Sequence, residues 1–128
     1  MASDVASRRD SETNKVVIHG TTRSSLYLTF SFDLSGAQPR LQEAFCSVEK
    51  TGSDERAYMD TIARLVSRLL RHESVEEVAS CLEGVVTSIR GPVEGIANER
   101  FCHGYIDCFG KALLKRQEEL YANQDERE

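Results

Sequence analysis

The hydrophobic pattern of the chain is clearest over residues 53–71, where Tyr58, Ile62, Leu65, Val66 and Leu69 recur at the spacing of one helix face. Met59, Ala63 and Leu70 widen that face to nearly half the circumference, and Arg56, Asp60, Arg64, Ser67, Arg68 and Arg71 fall opposite. Ser53 is placed to cap the N-terminus, with Asp54 and Glu55 in the first turn and Arg68 and Arg71 in the last. Those charges oppose the helix dipole at both ends. The pattern predicts one long central helix with a basic stripe.

Before it, residues 16–20 are short and β-branched, a first strand. From Leu26 the period is two: Leu26, Leu28, Phe30, Phe32 and Leu34 on one face, Tyr27, Thr29, Ser31 and Asp33 on the other. A turn at 35–39 leads to a third strand over 41–49, whose alternation is less pure. Short connections between consecutive strands predict an antiparallel meander. Residues 50–53 join sheet to helix, and Gly52 there is first a turn residue, with a small anion site as the alternative.

After the helix, Ser74 and Glu77 have capping-box spacing, so a second helix begins there, carries Val75, Val78, Ala79 and Leu82 inward, and ends at Gly84. Residues 85–89 are β-prone. Residues 90–100 hold two glycines and a proline and are expected as the longest loop, a usual place for function. A last helix starts near Tyr105 or Ile106 and buries Ile106, Phe109, Leu113 and Leu120. The expected organisation is a disordered arm over 1–15, one α+β domain over 16–121, and a frayed acidic tail over 122–128. The domain would hold an antiparallel sheet of three or four strands packed against two to three helices.

Composition narrows the function. The net charge of −5 argues against a protein that coats long nucleic acid, and no apolar run approaches the roughly 18 residues of a membrane span. The first residues lack a secretory hydrophobic core, so a cytoplasmic location is expected. The four cysteines, Cys46, Cys81, Cys102 and Cys108, form no CxxC and are expected as reduced, packed thiols without metal. His19, His72 and His103 fall on three different elements, and the chain carries no phosphate loop, HExxH or GxSxG. No catalytic constellation and no cofactor are expected.

A small anionic ligand suits the cations better. Arg64 on the long helix, Asn98, Arg100 and Phe101 in the loop, and Lys115 and Arg116 on the last helix supply guanidinium, amide and stacking groups. Each also has a plain structural role open to it: Arg64 pairing with Asp60, Phe101 in a core, Arg116 on a surface beside Glu119.

The order of motifs resembles the TSCPD domain, which occurs at the C-terminus of adenosylcobalamin-dependent ribonucleotide reductases and in small stand-alone proteins. Glu43-Ala44-Phe45, Gly52-Ser53, Ala63-Arg64-Leu65-Val66-Ser67, Val75-Glu76-Glu77-Val78, Leu82-Glu83-Gly84-Val85 and residues 107–113 match its segments in order and spacing. The family has Cys-Pro before its aspartate, whereas this chain has Tyr105-Ile106 before Asp107. A thiol role therefore does not carry over, while Arg64 and Asp107 do. The plan also resembles small phage proteins that defeat the Thoeris defence by sequestering cyclic ADP-ribose isomers or cyclic oligonucleotides. That resemblance implies a homo-oligomer holding a small phosphorylated nucleotide through Arg64, Asn98, Phe101, Asp107 and Arg116. The reductase resemblance implies instead an accessory module that docks on a larger chain.

Overall fold

A computed structural model describes residues 9–36, 38–49 and 53–127. Among them, five strands and three helices run in the order β1 (Arg9–His19), β2 (Arg23–Asp33), β3 (Arg40–Val48), α1 (Ser53–Leu69), α2 (Val75–Leu82), β4 (Gly91–Glu94), β5 (Phe101–Cys102) and α3 (Tyr105–Arg127). The strands form one antiparallel sheet in the order β3-β2-β1-β4-β5. The α+β architecture follows the hydrophobic pattern, with two differences in extent. Residues 9–15, expected in an unstructured arm, are the first half of β1, and the segment expected as a loop supplies β4 and β5. The longest helix is α3, with 23 residues against 17 in α1, and it runs through most of the expected tail. Residues 1–8 and the 50–52 hinge lie outside the described residues. Residues 85–89 form no strand; Thr87 N–H donates to the His103 carbonyl at 2.9 Å. No helix among the described residues is long and apolar enough to cross a membrane.

Antiparallel register stacks Glu12, Asn14, Val16 and Ile18 of β1 beside Phe30, Leu28, Leu26 and Ser24 of β2, one face of the pleat. Ala44, Cys46 and Val48 of β3 continue that face. The impure alternation of β3 has a cause: Ser31 pairs with Glu43 but Phe32 with Leu41, so Gln42 is an extra residue. Such a bulge switches the phase and lets Leu41 and Ala44 both be buried. The core lies between this face and the helices, with Phe30, Leu28, Leu26, Phe109 and Leu113 at its centre.

The first helix covers the sheet's edge. Met59, Ala63, Val66 and Leu70 are buried, and Ser67, read as part of a polar stripe, bonds the backbone of β3. Its Oγ accepts from Ala44 N–H at 3.0 Å and donates to Ala44 C=O at 2.8 Å, occupying edge groups that another strand would otherwise take. The Arg40 guanidinium donates to the Leu70 carbonyl, closing the same helix at its C-terminal end. At the start of α2, Ser74 Oγ accepts from Glu77 N–H at 3.1 Å, as its spacing predicts. The helices α2 and α3 touch at Gly110, where an added Cβ would lie 2.9 Å from Leu82 Cβ and 3.0 Å from Glu83 N.

The start of α3 is fixed by Asp107, whose side chain is fully buried. Its Oδ1 accepts from Gly84 N–H at 2.6 Å, at the turn that ends α2. Its Oδ2 accepts from His103 N–H at 2.8 Å, just after β5, and lies 3.1 Å from Lys111 Nζ. Lys111 also donates to the Phe101 carbonyl at 2.9 Å. Burial alone raises the carboxyl pKa, but the Gly84 and His103 amides and the Lys111 ammonium outweigh it and hold the group below its ordinary value. The ionised form therefore stabilises the fold above about pH 4, and that contribution is lost as pH falls through the lower folded-state value.

Two outcomes are expected. Asp107→Asn keeps the size but removes the charge that Lys111 faces, and should cost about 3 kcal/mol in urea unfolding at neutral pH. The same variant should lose less stability than the parent between about pH 4 and pH 2, because its titrating group is gone. Equal acid sensitivity of the two proteins would show that Asp107 is not the group responsible. Ser67→Ala should cost about 1 kcal/mol by freeing the Ala44 edge groups, read as a shift in the urea midpoint without a change in slope.

Candidate functional site

Register places polar residues where an apolar face would be expected. Glu12 and Asn14 share a face with Val16 and Ile18 yet reach past the core, beyond the end of β4, which pairs only with Val17 and Ile18. The space they line is a cleft of about 440 Å³, open to solvent. Its floor is Val16, Leu28 and Phe30 of the sheet; the turn Gly95-Ile96-Ala97 closes one side, and Ala112, Lys115, Arg116, Glu119 and Ala122 of α3 close the other. The volume lies within the range of small-ligand pockets, roughly 300–1,000 Å³, and the lining combines apolar surface with a few convergent polar groups.

Gly95 makes this shape possible. Its φ is +105°, and a Cβ there would lie 2.5 Å from the Lys15 carbonyl oxygen. The turn can therefore lie directly against β1. Three residues on, Asn98 also has a positive φ, 65°, a conformation that Asn tolerates better than most residues. Its sequence signal as a ligand amide thus has a backbone explanation, and it does not line the cleft.

Arg116 is the best-held cation of the cleft. The guanidinium engages both Glu12 oxygens: Nε donates to Oε1, and Nη2 lies 3.4 Å from Oε2. Glu119 Oε1 is 3.8 Å from Nη1, and the Phe32 ring lies 4.9 Å beneath the guanidinium carbon. These contacts fix a planar fork of donors over an apolar floor, the geometry that suits phosphate or carboxylate. Lys115 stands beside it, paired with Glu118 at 3.3 Å.

The five residues singled out from the sequence separate in space. Arg116 lines the cleft. Arg64 is on α1, highly exposed and 3.0 Å from Asp60 one turn away. Phe101 is on β5, half-exposed, with its ring edge-on to His103 at 5.2 Å. Asp107 is the buried fastener described above. Glu12 and Asn14 escaped the sequence reading because a strand polar on both faces has no period to detect, although the charge at Glu12 was itself visible.

Three of the four thiols are packed inside the fold. Cys46, Cys102 and Cys108 are buried and unbridged, while Cys81 is exposed. Burial pushes the Cys46 thiol up to about 12. A hydrogen bond with Cys102, together with burial, pushes Cys108 up as well; the same hydrogen bond, aided by Lys111, pulls Cys102 down. Among the described residues, no group of three or more His, Cys, Asp or Glu side chains is arranged to hold a metal ion.

The TSCPD domain family model matches residues 3–116, from before β1 to Arg116 on α3. No curated protein and no solved structure matches the chain. The match covers the floor of the cleft, the 95–97 turn, the α3 wall as far as Arg116, and the Asp107 fastener. The chain belongs to the TSCPD domain family.

Proposed function

We propose that this protein is a non-catalytic binding module that takes a small phosphorylated nucleotide in the cleft between the sheet, the 95–97 turn and α3. The observation that carries the reading is Arg116, a guanidinium clamped by Glu12 and supported by Phe32 at the mouth of a cleft floored by Val16, Leu28 and Phe30. A phosphate displaces the Glu12 carboxylate from the fork, and Lys115 supplies a second cation. The base lies on Val16, Leu28 and Ile96, surface apolar enough to receive a flat ring. The clamp orders the side chain in advance, so little rotamer entropy remains to be lost on binding. Binding without turnover fits a site whose polar groups are an arginine, a lysine, an asparagine and paired carboxylates.

The cellular role that follows is sequestration: a domain in a cytoplasm, of phage or cellular origin, holding cyclic ADP-ribose isomers or cyclic oligonucleotides as an anti-defence sponge. The resemblance to the Thoeris antagonists supports this reading. Family membership also admits an accessory role beside a ribonucleotide reductase. The concave cleft with its polar mouth favours the small ligand over that reading, because a docking face needs no such pocket.

Isothermal titration with cyclic ADP-ribose isomers and cyclic di- and trinucleotides tests the proposal. At least one should bind, Arg116→Ala should weaken it by about tenfold or more, and Glu12→Gln should tighten it by removing the competing carboxylate. No heat with any of these ligands at millimolar concentration would overturn the proposal. Binding that survives Arg116→Ala unchanged would place the nucleotide elsewhere.

A further inference from the structure

The turn from β5 into α3 sets two buried thiols against each other. Cys102 ends β5, Cys108 sits in the first turn of α3, and both side chains are fully buried. The chain reverses between them at Gly104, whose φ is +148° and whose added Cβ would collide with the Thr87 side chain. Both chain neighbours of Cys102 are fastened to the turn that carries Cys108. The Phe101 carbonyl accepts from Lys111 at 2.9 Å, and His103 N–H donates to Asp107 at 2.8 Å. Cys108 N–H in turn donates to the Gly104 carbonyl at 2.9 Å. Held from both sides, the two sulfurs share a hydrogen bond. Two small apolar side chains would fill this space as well, so packing alone does not call for sulfur beside sulfur.

The pair lies under a thin cover. β5 is two residues long and ends the sheet, and Phe101 beside Cys102 is half-exposed. Such an edge opens locally at small cost, which admits a small solute to a buried thiol. The hydrogen bond from Cys108, aided by the charge of Lys111, favours the thiolate of Cys102, while the same bond and burial keep Cys108 protonated. One sulfur is thus suited to attack and the other to resolve.

We propose that Cys102 and Cys108 form a dithiol site that hydrogen peroxide oxidises to a disulfide joining β5 to α3. The Cys102 thiolate attacks one peroxide oxygen and the O–O bond breaks. The hydroxide released takes up the proton that the thiol had lost and leaves as water. The Cys108 sulfur then attacks the sulfenic acid on Cys102, its proton goes to the departing hydroxyl, and a second water leaves. Two thiols and one peroxide give one disulfide and two waters, and a dithiol reductant reverses the change by exchange. The link covalently closes the junction that Asp107 and Lys111 hold by hydrogen bonds and charge. Neither cysteine lines the cleft, so the site stands independently of the nucleotide reading.

Peptide mass analysis tests the proposal. Cys81→Ser removes the exposed thiol and leaves Cys46, Cys102 and Cys108. The folded variant is treated with hydrogen peroxide, quenched with catalase, alkylated in denaturant and cut with trypsin. Both cysteines of the pair then fall in the peptide 101–111, between cleavage points at Arg100 and Lys111. That peptide should lose two hydrogens and take up no alkylating group while Cys46 stays free, and dithiothreitol should restore both thiols. The pair should oxidise about tenfold or more faster in the folded chain than in urea, where only its spacing in the sequence remains. With Cys108→Ser added, and circular dichroism confirming the fold, the sulfenic acid on Cys102 should persist and be trapped by dimedone. A folded chain that keeps both thiols overturns the proposal, as does Cys102 advancing to the sulfinic acid with Cys108 still free. Faster oxidation in urea than in the folded chain overturns it too, because burial would then protect the pair. No dimedone adduct in the folded Cys108→Ser chain overturns the assignment of Cys102 as the attacking sulfur.

Discussion

One buried carboxylate holds the helical half of this molecule in place. Asp107 gathers the turn that ends α2, the residue that follows β5 and the first turn of α3, and it does so through two backbone amides and one ammonium. An isolated carboxylate in that position would be expelled or protonated; three donors make it the stable form. Its geometry sets where α3 begins and hence how the helix lies over the sheet. Lys111 then extends the hold to the Phe101 carbonyl, tying β5 to the helix. The residue lies within the stretch that matches the family, and its contacts are with the protein itself.

The cleft follows from that placement together with the length of β1. The helix extends further along the sheet than the apolar residues of β1 do, and β1 pairs with β2 as far back as Arg9. Between them is a space that Val16 floors but Glu12 and Asn14 line. Had those two positions been apolar, the core would have continued and the cleft would have closed. Their polarity suits a solvent-facing lining, and the chain needs Gly95 so that the 95–97 turn can approach closely enough to form a wall.

Sequence periodicity found the elements whose two faces differ. The alternation from Leu26 to Phe32, the cap at Ser74, the stop at Gly84 and the start of α3 near Tyr105 all appear in the structure at or near the expected residues. It failed where both faces are alike. Residues 11–15 are polar on the cleft side and on the solvent side, and β4 and β5 are too short to show a period around Pro92. On α1 the pattern was real but the face was assigned too broadly: apolar character marked both the buried row and the exposed row of Tyr58, Leu65 and Leu69, and periodicity alone does not separate them. Ser67 shows the converse, a polar residue counted with the solvent face whose hydroxyl is spent on the edge of β3. Among the candidate site residues, Arg116 was legible because a guanidinium is itself a phosphate-capable group, whereas its partner Glu12 comes from the other end of the chain, and no local signal links them.

The Glu12–Arg116 pair also bears on why the cleft contains charge at all. Partly exposed ion pairs add little net stability, since desolvation and side-chain ordering offset most of the attraction, and an apolar pair of similar volume would serve the fold as well. The rest of the structure does not lean on it: the sheet is registered by its own ladder, and α3 is fixed at its far end by Asp107. A guanidinium kept ordered by a carboxylate and an aromatic ring, at the mouth of a pocket and away from the packed centre, is a poor device for folding. It is a good one for exchange, because the carboxylate that orders the fork can be replaced by a stronger anion without moving the helix that carries it.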